Sequence, residues 1–231
     1  MSFNNFQLSS KCPYSCLKCT IGDADSLSAI MNKINSSSQG TLNFFFNLTI
    51  DNKELPKIIP EIKKRKQKLG LFYNGLANEE YLKHQPEVIL FPFFSTNEEG
   101  HDLFIGKKSF YKMISFMNLL PKTIKKPILF FVTKDNLAET TDLAGLLLTF
   151  RNKIFMQPLN FYEENDFDKE IMLYLKRIQN QKGISLLPAG NYSAHCLNWS
   201  EPNSVINLVL NTIKNINLSP KKKKAKEITY K

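Results

Sequence analysis

Cys12, Cys16 and Cys19 stand in the run Cys-Pro-Tyr-Ser-Cys-Leu-Lys-Cys, which holds three of the chain's four cysteines. Thiolate sulfur is a soft donor suited to zinc, copper(I) and iron-sulfur clusters. With three and then two residues between them, these sulfurs can converge on one small inorganic centre and leave a fourth coordination position open for chemistry. A structural zinc site wants four protein ligands in paired spacings. No second Cys-x-x-Cys and no nearby histidine supplies the complement, which weakens the zinc reading without removing it. Residues 1–10 are polar and lack the apolar core of a signal peptide. The clustered cysteines therefore read as reduced ligands in a cytoplasmic protein, with a disulfide framework as the weaker alternative.

The elements around the loop must position it. Residues 6–10 form a short extended segment, and residues 25–35 carry Leu27, Ile30, Met31 and Ile34 at helical spacing, giving strand, loop, helix. Ser36-Ser-Ser-Gln-Gly40 breaks that helix. Residues 42–48 are short, apolar and aromatic, as expected of a strand covered on both faces. Residues 53–69 place Leu55, Ile58, Ile59 and Ile62 on one stripe and Lys63-Lys-Arg-Lys66 on the wet side, with Pro56 in the first turn. Gly70 ends this predicted helix, and residues 71–75 make a strand closing on Asn74-Gly75. A brief helix over 78–84 follows, then strands over 87–94, 127–133 and 153–156, alternating with helices over 108–120, 139–150 and 166–181.

Six strand-helix alternations with short connections predict an α/β fold with parallel pairing and right-handed crossovers. The sheet is either open and doubly wound or an incompletely closed barrel. In both, active residues belong at the carboxyl ends of strands. After Gly183 the rhythm breaks. Residues 184–187 and 191–196 read as a hairpin turning at Ala189-Gly190, and residues 202–216 as a closing helix, with Trp199 packing it onto the barrel.

Length and composition, at 231 residues with 42% hydrophobic and 12% aromatic side chains, suit one folded domain with a C-terminal extension. The longest apolar runs are too short to span a bilayer. The formal charge of +10 is spread over helical segments and over a lysine-rich tail, and a Phe, Ile, Asn and Lys bias can arise without any binding role. A specific nucleic-acid partner is not expected from it.

Cys-x-x-x-Cys-x-x-Cys after a first strand resembles the cluster loop of the radical S-adenosylmethionine superfamily. Tyr73-Asn74-Gly75 is similar to the Thr-Asn-Gly at the end of strand three in many members. His101-Asp-Leu-Phe-Ile-Gly106 resembles a His-Asp-x-x-x-Gly segment after strand four, and Thr133-Lys-Asp-Asn136 a common Val-Thr-x-x-Asn ending of strand five. Leu186-Leu-Pro-Ala-Gly-Asn-Tyr-Ser-Ala-His-Cys196 is similar to the segment that opens the cysteine-rich extension of peptide-modifying members. The resemblance covers residues 6 to about 213. It implies an incomplete (β/α)6 barrel, a partial TIM barrel, over 1–183, a hairpin and capping helix over 184–218, and a disordered lysine-rich tail over 219–231.

What the family implies is a [4Fe-4S] cluster held by Cys12, Cys16 and Cys19, whose unique iron chelates the amino and carboxylate groups of S-adenosylmethionine. Reductive cleavage would then give a 5′-deoxyadenosyl radical that takes hydrogen from a small-molecule or peptide substrate, with an electron donor such as flavodoxin or ferredoxin. Asn47, Asn74, Ser95, Thr133 and Gln157 stand where the family contacts S-adenosylmethionine, with ordinary turn and loop hydrogen bonding as the competing reading of Asn74, Ser95, Thr133 and Gln157. No residue is assigned a catalytic role. His101 and His195 could serve proton transfer or ligation, with a surface position or a supporting place behind the site as the safer reading, and Cys196, a lone cysteine in the extension, reads as a buried small residue.

Two features depart from the family. Lys18 replaces a hydrophobic or aromatic residue before the third cysteine, and Phe46-Asn-Leu-Thr49 stands where a Gly-Gly-Glu-Pro segment would bind the methionyl amine. A charge-assisted contact there is worth roughly 1.5–3 kcal/mol. The alternative function is accordingly a degenerate relative that binds a cluster without cleavage and acts as a binding partner.

Overall fold

The computed structural model describes residues 2–8, 24–46, 53–73, 75, 79–143, 145, 153–158, 169–179 and 184–186. Seven strands run in the order of the chain: β1 (Phe3–Gln7), β2 (Leu42–Phe46), β3 (Lys68–Phe72), β4 (Val88–Phe93), β5 (Ile128–Val132), β6 (Ile154–Pro158) and β7 (Ile184–Leu186). Every neighbouring pair is parallel. A strand order that never reverses excludes the doubly wound alternative, because that topology winds outward in both directions from a central strand. Among the described residues β1 and β7 do not pair, so the sheet is an unclosed, barrel-like α/β sheet.

The helices are α1 (Leu27–Ser36), α2 (Leu55–Lys64), α3 (Glu98–Ile105), α4 (Phe110–Leu119) and α5 (Lys169–Gln179), with 3-10 turns at Glu79–His84 and Leu137–Asp142. Ser26 caps α1 through its side chain, and Asn97 caps α3, with Glu98 and Glu99 in the first turn. The stripe Leu55, Ile58, Ile59 and Ile62 of α2 is fully buried, as its spacing predicts, while Lys63, Lys64 and Lys66 are exposed. That helix stops at Lys64, earlier than its expected end at residue 69. Lys66 takes a left-handed φ of 52°, and Lys68 already begins β3.

Register and alternation divide the strand side chains into two faces. Phe6, Phe45, Leu71, Ile89, Phe91, Ile128, Phe130, Ile154 and Met156 pack with the apolar stripes of α1, α2, α4 and α5 in one core. The opposite face carries Phe44, Phe46, Phe72, Leu90, Leu129, Phe131 and Phe155, all buried. Both faces being covered explains why these strands read as continuous apolar runs. Gly70 on β3 leaves room for a neighbour: a Cβ there would lie 2.5 Å from Phe44 Cδ2 and 3.1 Å from Val88 Cγ1.

A buried amide ladder fixes the first three strands. Asn4 Nδ2 donates to Asn43 Oδ1 at 2.8 Å, Asn43 Nδ2 to Gln67 Oε1 at 2.9 Å, and Gln67 Nε2 to the carbonyls of Ile34 and Ser37 at 3.0 and 2.9 Å. Slipping one residue in register would break every rung.

Three expectations change. Helix α3 was not anticipated; the helix read over 139–150 opens on a 3-10 turn, Leu137–Asp142, with Leu143 and Gly145 beyond it in α-helix; and Ile184–Leu186, expected to open a hairpin, joins the sheet as a seventh parallel strand. The second hairpin arm, the closing helix with Trp199, Cys196, His195 and the tail lie outside the described residues.

Candidate cofactor site

Parallel strands send their carboxyl ends to one side of the sheet, and the cysteine loop leaves from that side. Cys12, Cys16 and Cys19 lie outside the described residues, as do Asn47 and Asn74, but the two ends of the loop are described. The loop leaves after Leu8, whose N–H donates to the Phe46 carbonyl at 3.3 Å, and returns at Asp25. Asp25 N–H donates to the Gln7 carbonyl at 2.8 Å, and Asp25 Oδ2 accepts the Gln7 N–H at 2.7 Å. One residue thus satisfies both backbone groups that Gln7 turns toward the free sheet edge, and it closes the base of the loop. Nothing in the spacing of the cysteines pointed to Asp25.

The ends of β4 and β5 are tied into one polar network. Asn136 Nδ2 donates to the carbonyls of Phe94 at 2.7 Å and Phe131 at 2.8 Å, while its Oδ1 accepts the Thr133 N–H at 2.7 Å. Glu139 Oε2 accepts from Ser95 Oγ at 2.6 Å, from the Thr96 N–H at 2.5 Å and from Thr96 Oγ1 at 2.9 Å. Three donors on one carboxylate oxygen, all from Ser95 and Thr96 just past β4, make a strong clamp. Ser95 Oγ also accepts the Asn97 N–H at 3.1 Å, and Gly100 lets the first turn of α3 close over it, since a Cβ there would meet Ser95 Oγ at 2.7 Å.

His101 completes the network. It is fully buried; its Nδ1 accepts the Phe94 N–H at 3.3 Å, and Nε2 lies 3.0 Å from Ser109 Oγ. Accepting at Nδ1 places the ring hydrogen on Nε2, which then donates to Ser109. Burial lowers the His101 pKa to about 4, against an opposing pull from Asp102, so the ring is neutral at physiological pH. Asp102 Oδ1 accepts the backbone N–H groups of Ser109 and Phe110 and caps α4, and Gly106 ends α3 at a left-handed φ of 75°. The segment from His101 to Gly106 is therefore a joint between two helices and the β4 end.

The other expected positions divide. Ser95 is buried and its hydroxyl is engaged by Glu139 and Asn97; Thr133 is buried and joined through its N–H to Asn136. Gln157, on β6, is buried on the face opposite the helices, with Nε2 donating to the Pro158 carbonyl at 3.0 Å. Gln7, at the end of β1, lies on that same face and was not anticipated. Among the described strand residues this face carries amides, a serine and one lysine at the start of β3, and no carboxylate. Gly75, just past β3, holds a left-handed φ of 87°, so the turn itself requires its glycine. No group of three or more histidine, cysteine, aspartate or glutamate side chains that could hold a metal occurs among the described residues.

Neither a protein-family model nor a curated protein matches the chain. Solved structures do. The crystal structure of Streptococcus suis SuiB bound to S-adenosylmethionine aligns with a TM-score of 0.61 at 11% identity, over 84% of this chain and 48% of SuiB. SuiB alone gives 0.60 at 10% over 87% and 52%, and SuiB bound to precursor peptide SuiA gives 0.60 at 11% over 80% and 48%. This chain spans about half the length of SuiB. At such identity the likeness is one of fold alone.

Proposed function

We propose that this chain is a radical S-adenosylmethionine enzyme acting on a peptide. The observation that carries the reading is the placement of the cysteine loop: it rises from the carboxyl end of the first strand of an unclosed parallel barrel, with its base closed by Asp25 on Gln7. The donor set fits an iron-sulfur cluster, being three thiols on one short loop with no fourth protein ligand in the motif. Cys12, Cys16 and Cys19 would hold the cluster. When bound, the cluster and S-adenosylmethionine would supply reductive carbon-sulfur cleavage and hydrogen abstraction.

The chain's own share is binding, orientation and exclusion of water. Asp25 holds the loop base against β1. Glu139, Asn136 and His101 hold the β4 and β5 ends, so that Ser95 and Thr133 act in this proposal by shaping the rim. Gln157 and Gln7, with Asn47 and Asn74, are the candidates for direct polar contact with S-adenosylmethionine. Neutral amides replace the usual carboxylate, and affinity for the methionyl amine is expected to be about tenfold to a hundredfold weaker in consequence. The peptide substrate is supported by the SuiB structure that holds a precursor peptide.

The test is anaerobic reconstitution with iron and sulfide, followed by dithionite, S-adenosylmethionine and an assay for 5′-deoxyadenosine. Formation that is lost in Cys16→Ala supports the proposal. A cluster that forms without any cleavage identifies instead the degenerate binding protein, and stoichiometric zinc with no iron uptake refutes both.

A further inference from the structure

The two ends of the barrel differ sharply in charge. The described connections that lead from helix into strand, residues 33–42, 61–68, 83–88, 119–128, 153–154 and 176–179, hold thirteen Lys or Arg and two carboxylates, Glu61 and Glu87. The described connections at the other end, residues 24–26, 53–54, 94–99, 106–109 and 133–142, hold four lysines and seven carboxylates. Helix dipoles account for part of this, since cations favour helix carboxyl ends and anions favour amino ends. They do not account for Lys66, Lys68, Lys122 and Lys125, which stand in turns or at a strand start.

The two carboxylates do not neutralise the basic end. Glu61 pairs with Lys64 and Arg65, and Glu87 accepts the Leu69 N–H, while Lys63, Lys66, Lys122 and Lys125 are exposed and make no ion pair among the described residues. His84, whose pKa is lowered by burial, is pushed down further by Lys63 and Lys83, a sign of like charges crowded together. Beside Lys122 and Lys125, at the end of α4, Leu119 is 70% exposed.

We propose that the amino-terminal end of the barrel docks on an anionic lipid surface. Lysines spread over a barrel end suit a diffuse field of headgroup phosphates, where bidentate arginines would suit a defined partner; of the two arginines counted there, Arg65 is already spent on Glu61 and the Asn35 carbonyl, which leaves Arg177 among eleven lysines. An exposed leucine among lysines suits the boundary between headgroups and acyl chains. None of the exposed large aromatic side chains among the described residues lies at this end, so single-stranded nucleic acid would find no stacking platform there. Docked this way, the chain turns its cysteine-loop end away from the bilayer and leaves it open. No helix among the described residues is long and apolar enough to cross a membrane, so the contact is peripheral.

The full chain is sedimented with vesicles of phosphatidylcholine alone or with about 30% phosphatidylglycerol, at about 0.1 M salt. Binding to the anionic vesicles only is expected, and Lys63→Glu/Lys66→Glu/Lys122→Glu/Lys125→Glu is expected to weaken it at least about tenfold. Reversing Lys221, Lys222, Lys223 and Lys224 changes the net charge equally and is expected to leave most binding intact. Circular dichroism checks that each variant folds. The proposal is overturned if wild type binds neither vesicle, if the tail variant loses as much as the barrel-end variant, or if a single-stranded RNA oligomer displaces the protein from vesicles at equal phosphate.

Discussion

Gly70→Ala tests the packing inside the barrel. The added Cβ would stand 2.5 Å from Phe44 Cδ2 and 3.0 Å from Phe44 Cε2, against a normal carbon contact of about 3.5–4.0 Å. The ring must therefore move by about 1 Å. It has nowhere to go, because Phe44 is 0% exposed, it lies 5.0 Å from the Phe46 ring between centroids, and its strand is paired on both sides. Overpacking of this kind costs about 1–3 kcal/mol. Taking the upper part of that range, about 2–3 kcal/mol, for a ring so enclosed, and subtracting about 0.5–1 kcal/mol for the reduced freedom of the unfolded chain, leaves a net loss of about 1–2 kcal/mol. For a chain of this size the thermal midpoint falls by about 2–8 °C. Phe44→Leu removes the obstructing ring edge, so the double variant is expected to be scarcely less stable than Phe44→Leu alone. Calorimetry on the four proteins gives the coupling, expected at about 1 kcal/mol or more. An unchanged midpoint for Gly70→Ala, or strictly additive losses, would refute this account of why β3 carries a glycine.

Three further outcomes follow from the network at the carboxyl ends. His101 has a folded pKa of about 4 against an ordinary 6.5, so the unfolded chain takes up the proton first as pH falls. Its neutral form contributes fully above pH 6.5, and up to about 3 kcal/mol is lost between pH 6.5 and 4. Urea unfolding across that window should show this slope, and His101→Asn should flatten it. Asn136→Ala strands two carbonyls and one N–H in a buried site and is expected to cost about 3 kcal/mol or more by the same assay. Asp25→Ala, which opens the base of the cysteine loop, is expected to lower iron retained after reconstitution by at least about half while Asp25→Asn, still an acceptor, retains more; equal retention by Asp25→Ala and wild type would remove Asp25 from the proposed role.

The alternation of strands and helices was legible because runs such as Leu42 to Phe46 are apolar on both faces and α2 keeps its stripe in strict register. What misled was local. Lys63-Lys-Arg-Lys-Gln-Lys68 contains no breaker, so the helix seemed to run on to Gly70, whose absent side chain instead serves Phe44 on a neighbouring strand. Helix α3 announced itself through Asn97, Glu98, Glu99 and Gly106, signals of capping that its weak apolar stripe obscured. At the site, Ser95 and Thr133 could be placed at strand ends from sequence. Their partners could not: Glu139 is 44 residues from Ser95, and Asn136 joins Phe94 across 42 residues. Such pairs are set by the order of strands, which only the folded sheet displays.

The proposed function requires Cys12, Cys16 and Cys19 to present an iron with an open position to S-adenosylmethionine. The most direct measurement is the electron paramagnetic resonance spectrum of the reconstituted, dithionite-reduced protein before and after S-adenosylmethionine is added. A [4Fe-4S]⁺ signal whose g-values shift on addition is expected, with no such signal in Cys12→Ala/Cys16→Ala/Cys19→Ala. A signal indifferent to S-adenosylmethionine, or a protein that takes up no iron, would contradict it.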